Sequence, residues 1–119
     1  MTQRRFGLSL PVFVFMVVVT LLASQSFAAS TFYTCTSTEV ATYPERIHVR
    51  CSVAASGGIV FFAVPTANSA HAARMLTVLM MAHLTAKPII IEYDPADTSG
   101  TSFGCGASDC RRFLSLAVR

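Results

Sequence analysis

The chain of 119 residues carries a net charge of +3, contains four cysteines and lacks tryptophan. Its length suffices for one small domain and excludes two. Two of the nine basic residues, Arg4 and Arg5, lie in an N-terminal leader, whereas all six acidic residues follow it, so the rest of the chain carries only +1. So small an excess of positive charge argues against nucleic-acid binding, which requires a basic face.

The first 28 residues have the pattern of a secretory signal peptide. Basic residues precede an apolar run over residues 8–22, and the small residues Ser26 and Ala28 place the cleavage site after Ala28. The alternative is an uncleaved membrane anchor, because the run approaches the roughly 20 apolar residues of a spanning helix. We expect cleavage, which leaves a single secreted or periplasmic domain over residues 29–119 with no remaining membrane contact.

Two strands are predicted next. Residues 31–38 are rich in β-branched and aromatic side chains, which favours a first strand, and residues 41–45 around Pro44 end it. Residues 46–53 alternate between apolar and polar side chains, as in a strand buried on one face. The apolar face contains Ile47, Val49, Cys51 and Val53, and the solvent face contains Arg46, His48, Arg50 and Ser52.

The remaining strands flank a helix. A turn at residues 55–58 leads to a third strand that ends at Pro65 and is apolar on both faces, so it requires cover on both sides. Residues 88–94 form a fourth, buried strand. A polar loop over residues 95–104 precedes a last strand over residues 111–119. In that strand Leu114, Leu116 and Val118 are predicted to face one way.

The helix is predicted over residues 68–87, with Asn68 or Ser69 as its N-cap. Its periodicity directs one apolar side to the core. That side contains Ala72, Met75, Leu76, Leu79, Met80, His83 and Ala86. Val78, Met81 and Leu84 lie on the opposite side, and because exposed apolar patches mark interaction sites, we interpret them as an oligomer interface. The alternative is that a loop or the N-terminal segment covers them.

An even number of cysteines in a small exported chain indicates disulfides. Of the three possible pairings we favour Cys105 with Cys110 across a short loop, and Cys35 with Cys51 between neighbouring strands. A zinc site is the competing interpretation, but zinc ribbons have paired knuckles with shorter spacing.

No residue set indicates an enzyme. The chain has no G-x-S-x-G motif; His83 fits a hydrogen-bonded core position, and His71 a solvated first helical turn. Asp94 and Asp97 lack the spaced acids and closing glutamate of a calcium loop. We therefore predict no catalytic residue, no metal and no cofactor.

The element order β-β-β-α-β-β with two disulfides predicts a mainly β (α+β) fold, a small five-stranded OB-fold-like barrel. The chain resembles the B subunits of bacterial AB5 toxins, especially the subtilase-cytotoxin and pertussis-like branch. The resemblance lies in the leader, the four cysteines and the terminal C-x4-C unit CGASDC. It implies a pentameric ring that binds sialylated glycans, with the helices gathered around the central axis. Such a ring would explain a helix that is apolar on two sides.

The sequence therefore predicts an exported, non-enzymatic binding or assembly module whose partner is a glycan, an exported protein or further copies of itself. OB-folds bind oligosaccharides on their second and third strands and the adjoining loops. The expected ligand-binding residues are Arg46, His48, Arg50, Asp97, Thr98, Ser99 and Phe103. The alternatives are a small periplasmic enzyme or inhibitor that uses residues 94–103, and a structural envelope protein without a ligand.

Overall fold

Residues 29–119 are described by the computed structural model, so the predicted signal peptide lies outside the described residues. The fold is mainly β with one α-helix, as predicted. Its elements are β1 (Thr31–Cys35), β2 (Ser37–Thr42), β3 (Arg46–Ala55), β4 (Ile59–Pro65), α1 (Ser69–Leu84), β5 (Ile89–Tyr93), a 3-10 helix (Ser99–Phe103) and β6 (Cys110–Val118).

The six strands form one sheet in the order β1-β5-β6-β4-β3-β2. All pairs are antiparallel except β4 with β6, which is parallel. β1 and β2 lie at opposite ends of this order although only Thr36 separates them in the chain. The predicted first strand is therefore divided, and it extends to Thr42 because the turn occupies only residues 43–45.

The two edge strands, β1 and β2, come together near Thr36. The Cys35–Cys51 disulfide joins β1 to β3, and the backbone N–H of Ser52 donates to the carbonyl of Thr36 over 2.9 Å. The hydroxyl of Tyr33 on β1 also donates to the carbonyl of Val53 on β3 over 2.6 Å. These bonds tie β1 to the far side of the sheet, beside β2.

The main core lies between the sheet and α1. Phe62 is fully buried at its centre, with its ring 4.9 Å from that of Tyr93 and 5.8 Å from that of Tyr33. The helix buries Ala72, Leu79 and Ala82 against the strands. Met80, which was expected on this side, is 37% exposed. Because the helix is apolar around most of its circumference, periodicity did not determine which side faces the sheet. The small Ala82 takes the position close to the strands.

His83 is hydrogen-bonded as predicted, but it is half-buried and not a core residue. Its Nδ1 lies 2.9 Å from the hydroxyl oxygen of Ser37 on β2. The helix begins as expected too, because the side chain of Asn68 accepts a hydrogen bond from the backbone N–H of His71 over 3.0 Å. Within residues 29–119, no helix combines the length and hydropathy needed to cross a membrane.

Two irregularities in strand pairing correct the predicted alternation. Tyr93 pairs with Phe113 and Glu92 with Ser115, which leaves Leu114 in a β-bulge and 44% exposed. Phe113 thereby enters the same core as Leu116 and Val118. On β3 the register shifts between Arg50 and Ala55, and Val53 is 68% exposed instead of buried. Periodicity alone does not reveal a bulge, because one extra residue reverses the faces that follow.

Candidate ligand-binding groove

The outer face of β3 and β4 is the side opposite the main core. Strand register places His48 beside Ala63 and Arg50 beside Phe61. The parallel pairing continues the same rows onto β6, with Ala63 beside Arg112 and Phe61 beside Cys110. The polar set predicted for β3 therefore shares a surface with β4 and with the start of β6.

Residues 95–109, here named the cover segment, run over part of this outer face. The segment contains the 3-10 helix and packs on the sheet through a second, small core of Ala63, Phe103, Cys105 and Cys110. The Cys105–Cys110 disulfide closes it, so both disulfides form with the favoured pairing. Gly100 is required beneath this bond, because a Cβ there would lie 2.8 Å from the Cβ of Cys105.

Hydrogen bonds to backbone carbonyls hold the cover segment on the sheet. The carbonyl of Asp109 accepts from the N–H groups of Val60 and Phe61, each over 3.0 Å. The guanidinium of Arg111 donates to the carbonyls of Pro95 and Ala107, each over 2.7 Å. The segment is thus held at both ends, and a groove remains between it and β3.

The groove contains a cavity of about 180 Å³, here named the first cavity. Its lining combines one guanidinium, one imidazole, one carboxylate, an aromatic ring and the disulfide. The lining residues are Arg46, His48, Phe61, Gly104, Gly106, Asp109 and Cys110. Two of the predicted ligand-binding residues, Arg46 and His48, are therefore brought together here.

His48 differs from the solvated position expected for the outer face, because it is only 7% exposed. Its ring lies between those of Tyr43 and Phe61, with centroids 5.1 and 5.2 Å away. Its Nε2 lies 2.9 Å from a carboxylate oxygen of Glu39 on β2. The aromatic neighbours shield most of the imidazole, which still lines the first cavity, and Glu39 fixes its orientation.

The two arginines of β3 lie over aromatic rings. The guanidinium carbon of Arg46 is 4.2 Å from the ring centroid of Tyr43, and that of Arg50 is 5.7 Å from the centroid of Phe61. Among residues 29–119, the only ion pair within 4.0 Å is the one between His48 and Glu39. The guanidinium groups therefore have no carboxylate partner within the described part of the chain.

A second cavity of about 370 Å³ shares no lining residue with the first. Its lining is formed by the turn before β3, the loop after β4 and the end of the 3-10 helix. These residues are Pro44, Glu45, Pro65, Thr66, Ala67, Ser102 and Phe103. Thr66 holds the two loops together, since its hydroxyl donates to the carbonyl of Pro44 over 2.6 Å and its N–H to that of Glu45 over 3.2 Å.

The predicted loop residues have separate positions. Phe103 lines the second cavity and is 8% exposed, whereas Thr98 and Ser99 are exposed and line neither cavity. The carboxylate of Asp97 accepts from the backbone N–H of Ser99, the first residue of the 3-10 helix, over 2.8 Å. Hydrogen bonds from Ser99, with the positive charge of Arg112 and Arg111, lower the pKa of Asp97 below its ordinary value.

Several groove residues were missed by sequence reasoning. Phe61 supplies an aromatic surface, Glu39 orients the imidazole, and Asp109 provides the carboxylate. The position of Asp109, directly before a cysteine, was the available signal. It does not reveal that the C-x4-C unit lies against β3.

The helix residues assigned to an oligomer interface lie away from the main core. Leu84 is 76% exposed and Met81 52% exposed, whereas Val78 is half-buried.

Comparisons with protein-family models, curated proteins and solved structures gave no match. Within the described residues, no group of three His, Cys, Asp or Glu side chains is close enough to hold a metal ion.

Proposed function

We propose that this protein is an exported, non-enzymatic binding module that holds a carboxylate-bearing glycan in the groove between β3 and the cover segment. The observation that carries the proposal is Arg46, a cation that lines the first cavity beside aromatic rings and has no acidic partner among residues 29–119. A guanidinium offers paired donors that match a carboxylate, and its charge remains at any physiological pH.

The rest of the cavity suits a sugar. Phe61 and the rings beside it offer apolar surface to the C–H face of a pyranose, and Asp109 offers an acceptor to its hydroxyl groups. His48 donates or accepts beside them, with its orientation fixed by Glu39. Export follows from the leader-like N-terminal sequence and agrees with two disulfides in a small domain.

We also propose that the sheet closes as a five-stranded OB-type barrel in which β1 and β2 act as one bent strand. The single residue between them, the parallel β4 and β6 pair and the position of α1 between β4 and β5 all support this closure. In such a barrel β3 and β4 are the second and third strands, on which OB-folds bind oligosaccharides. The proposal keeps the predicted likeness to toxin B subunits as its functional model.

A glycan array tests the binding proposal directly. The purified, disulfide-bonded protein should bind sialylated or uronic-acid glycans in preference to their neutral counterparts. Arg46→Ala should weaken this binding at least about ten-fold, equivalent to about 1.4 kcal/mol. The matched control is Arg74→Ala, which removes an exposed guanidinium from the helix and should leave binding unchanged. No preference for acidic glycans, or equal binding by Arg46→Ala, would overturn the proposal.

Assembly is a separate part of the proposed function. We infer that Val78, Met81 and Leu84 contact a second copy of the chain, because two of these apolar side chains are more than half exposed. Gel filtration of the wild type should give an oligomer, and Leu84→Glu should shift it to the monomer. A wild-type protein that elutes as a monomer at micromolar concentration would contradict the inference.

A further inference from the structure

The second cavity contains an acidic residue without a cationic partner. Glu45 is the one charged residue in its lining. Within residues 29–119 the only ion pair shorter than 4.0 Å joins His48 to Glu39, so the carboxylate of Glu45 is paired with no basic side chain there. A ligand that enters the second cavity therefore meets one full negative charge and no positive charge in the lining.

The two hydroxyl groups of the second cavity have already used their hydrogens. The hydroxyl of Thr66 donates to the carbonyl of Pro44 over 2.6 Å, and that of Ser102 donates to the carbonyl of Ser99 over 3.0 Å. A hydroxyl that donates its one hydrogen still accepts through its lone pairs. The side chains of the lining thus offer three hydrogen-bond acceptors, counting the carboxylate of Glu45, and no free donor.

The rest of the lining is apolar and is held in place. It is formed by Pro44, Pro65, Ala67 and Phe103. Phe103 belongs to the second, small core, and Thr66 ties the loop after β4 to the turn before β3 through two hydrogen bonds. The cavity therefore combines preformed apolar walls with polar groups of one type only.

We propose that the second cavity binds a primary ammonium group carried on an unbranched aliphatic stem. An ammonium has three donors and no acceptor, so it complements a lining with acceptors and no free side-chain donor. Its charge complements Glu45, and its stem covers the apolar walls as lysine stems cover apolar surface. The lysine side chain of an exported protein and a free alkylamine share this chemistry.

A titration of three compounds into the isotopically labelled, disulfide-bonded protein tests the proposal. The compounds are N-acetyl-lysine methylamide, pentylamine and N-acetyl-norleucine methylamide, which keeps the stem of lysine but lacks its ammonium. Both amines should shift the backbone amide signals of Glu45, Thr66, Ala67, Ser102 and Phe103. They should also bind at least about ten-fold more tightly than the norleucine compound, because it lacks the charge-assisted hydrogen bonds.

Glu45→Gln removes the charge and keeps the shape of the side chain. Because Glu45 is exposed in a turn, the fold should persist, and binding of both amines should weaken about ten-fold while that of the norleucine compound stays unchanged. Glu92→Gln is the matched control, since Glu92 lines neither cavity, and it should bind both amines as the wild type does. If thermal denaturation shows that Glu45→Gln is unfolded, Ser102→Ala removes another acceptor and should weaken both amines about three-fold.

The two amines distinguish the source of the ammonium group. Tighter binding of the lysine derivative assigns the second cavity to a polypeptide partner, and tighter binding of pentylamine assigns it to a small amine. The proposal is overturned if the norleucine compound binds as tightly as the amines, if Glu45→Gln retains wild-type affinity for them, or if the shifts lie outside the second cavity. None of the three compounds contains a sugar, so these outcomes are independent of the acidic-glycan function.

Discussion

The main core and the cover segment differ in how they are held. The main core is built from large side chains of five strands and the helix, and Phe62, Leu79, Ile91 and Phe113 are almost completely buried in it. The cover segment rests on four small-core residues, a disulfide and a few backbone hydrogen bonds. The segment nevertheless provides one wall of both cavities. Stability therefore resides on the inner face of the sheet and the proposed binding on the outer face, which makes the two properties separable by substitution.

The largest expected effect on stability comes from the adjacent phenylalanines of β4. Phe62→Ala should reduce the free energy of unfolding by about 3–5 kcal/mol, because it leaves a cavity among the rings of Tyr33 and Tyr93. Phe61→Ala, on the outer face and half-buried, should cost less stability but should weaken glycan binding. Urea denaturation and calorimetric titration measure the two quantities. Equal stability losses would show that the faces are not separable.

The two disulfides should also contribute unequally to stability and to binding. Replacing Cys35 and Cys51 by alanine should cost about 3 kcal/mol and replacing Cys105 and Cys110 about 2 kcal/mol, because the first bond closes the longer loop. Only the second replacement releases the cover segment, so it should weaken binding more. If the Cys35 and Cys51 variant loses more affinity at temperatures where it remains folded, the assignment of the groove is wrong.

A pair of glycine substitutions isolates the contact with Arg46. Gly57 and Gly104 both have positive φ, so alanine at either position should cost about 1–2 kcal/mol of conformational strain. A Cβ at Gly57 meets nothing within 4 Å, whereas one at Gly104 meets the guanidinium. Gly104→Ala should therefore weaken the binding of acidic glycans and Gly57→Ala should not. Identical affinities for the two variants would show that Arg46 and Gly104 are not part of the binding site.

The smallest expected effect concerns Asp97. The pKa of its carboxyl is lowered in the folded protein, chiefly by hydrogen bonds from Ser99. The stabilisation that the ionised carboxylate contributes to the fold is thus present at neutral pH. It is lost as pH falls through the folded pKa, which lies below the ordinary value of about 4. Asp97→Asn should lower the melting temperature slightly at pH 7, and the difference should shrink toward pH 3. A difference in melting temperature that does not change with pH would show that the ionised Asp97 carboxylate does not stabilise the fold.

The sequence predicted the elements better than their mutual placement. The N-cap at Asn68, the helix and the strands on either side of it follow from local patterns that Asn68, Pro65 and Pro88 delimit, whereas residues 31–42 form two strands where one was predicted. The rotation of the helix and the bulge at Leu114 were missed, because both depend on packing between elements. Neither appears in the spacing of apolar residues.

The candidate site was predicted only in part, because it too depends on packing between elements. Arg46 and His48 were found from the alternation of one strand. Asp109 and Gly104 lie about 60 residues further along the chain, and only the return of the cover segment over β3 brings them near. His48 was expected to be solvated because the residues that cover it, Tyr43 and Phe61, lie outside its own strand.

Chemical-shift mapping tests the central claim most directly. Sialyllactose titrated into the isotopically labelled, disulfide-bonded protein should shift the backbone amide signals of Arg46, His48, Phe61, Gly104 and Asp109, and Arg46→Ala should abolish these shifts. Shifts confined to the surface of β1 and β5, or no shifts at millimolar glycan, would contradict the assignment of the groove as a binding site for an acidic glycan.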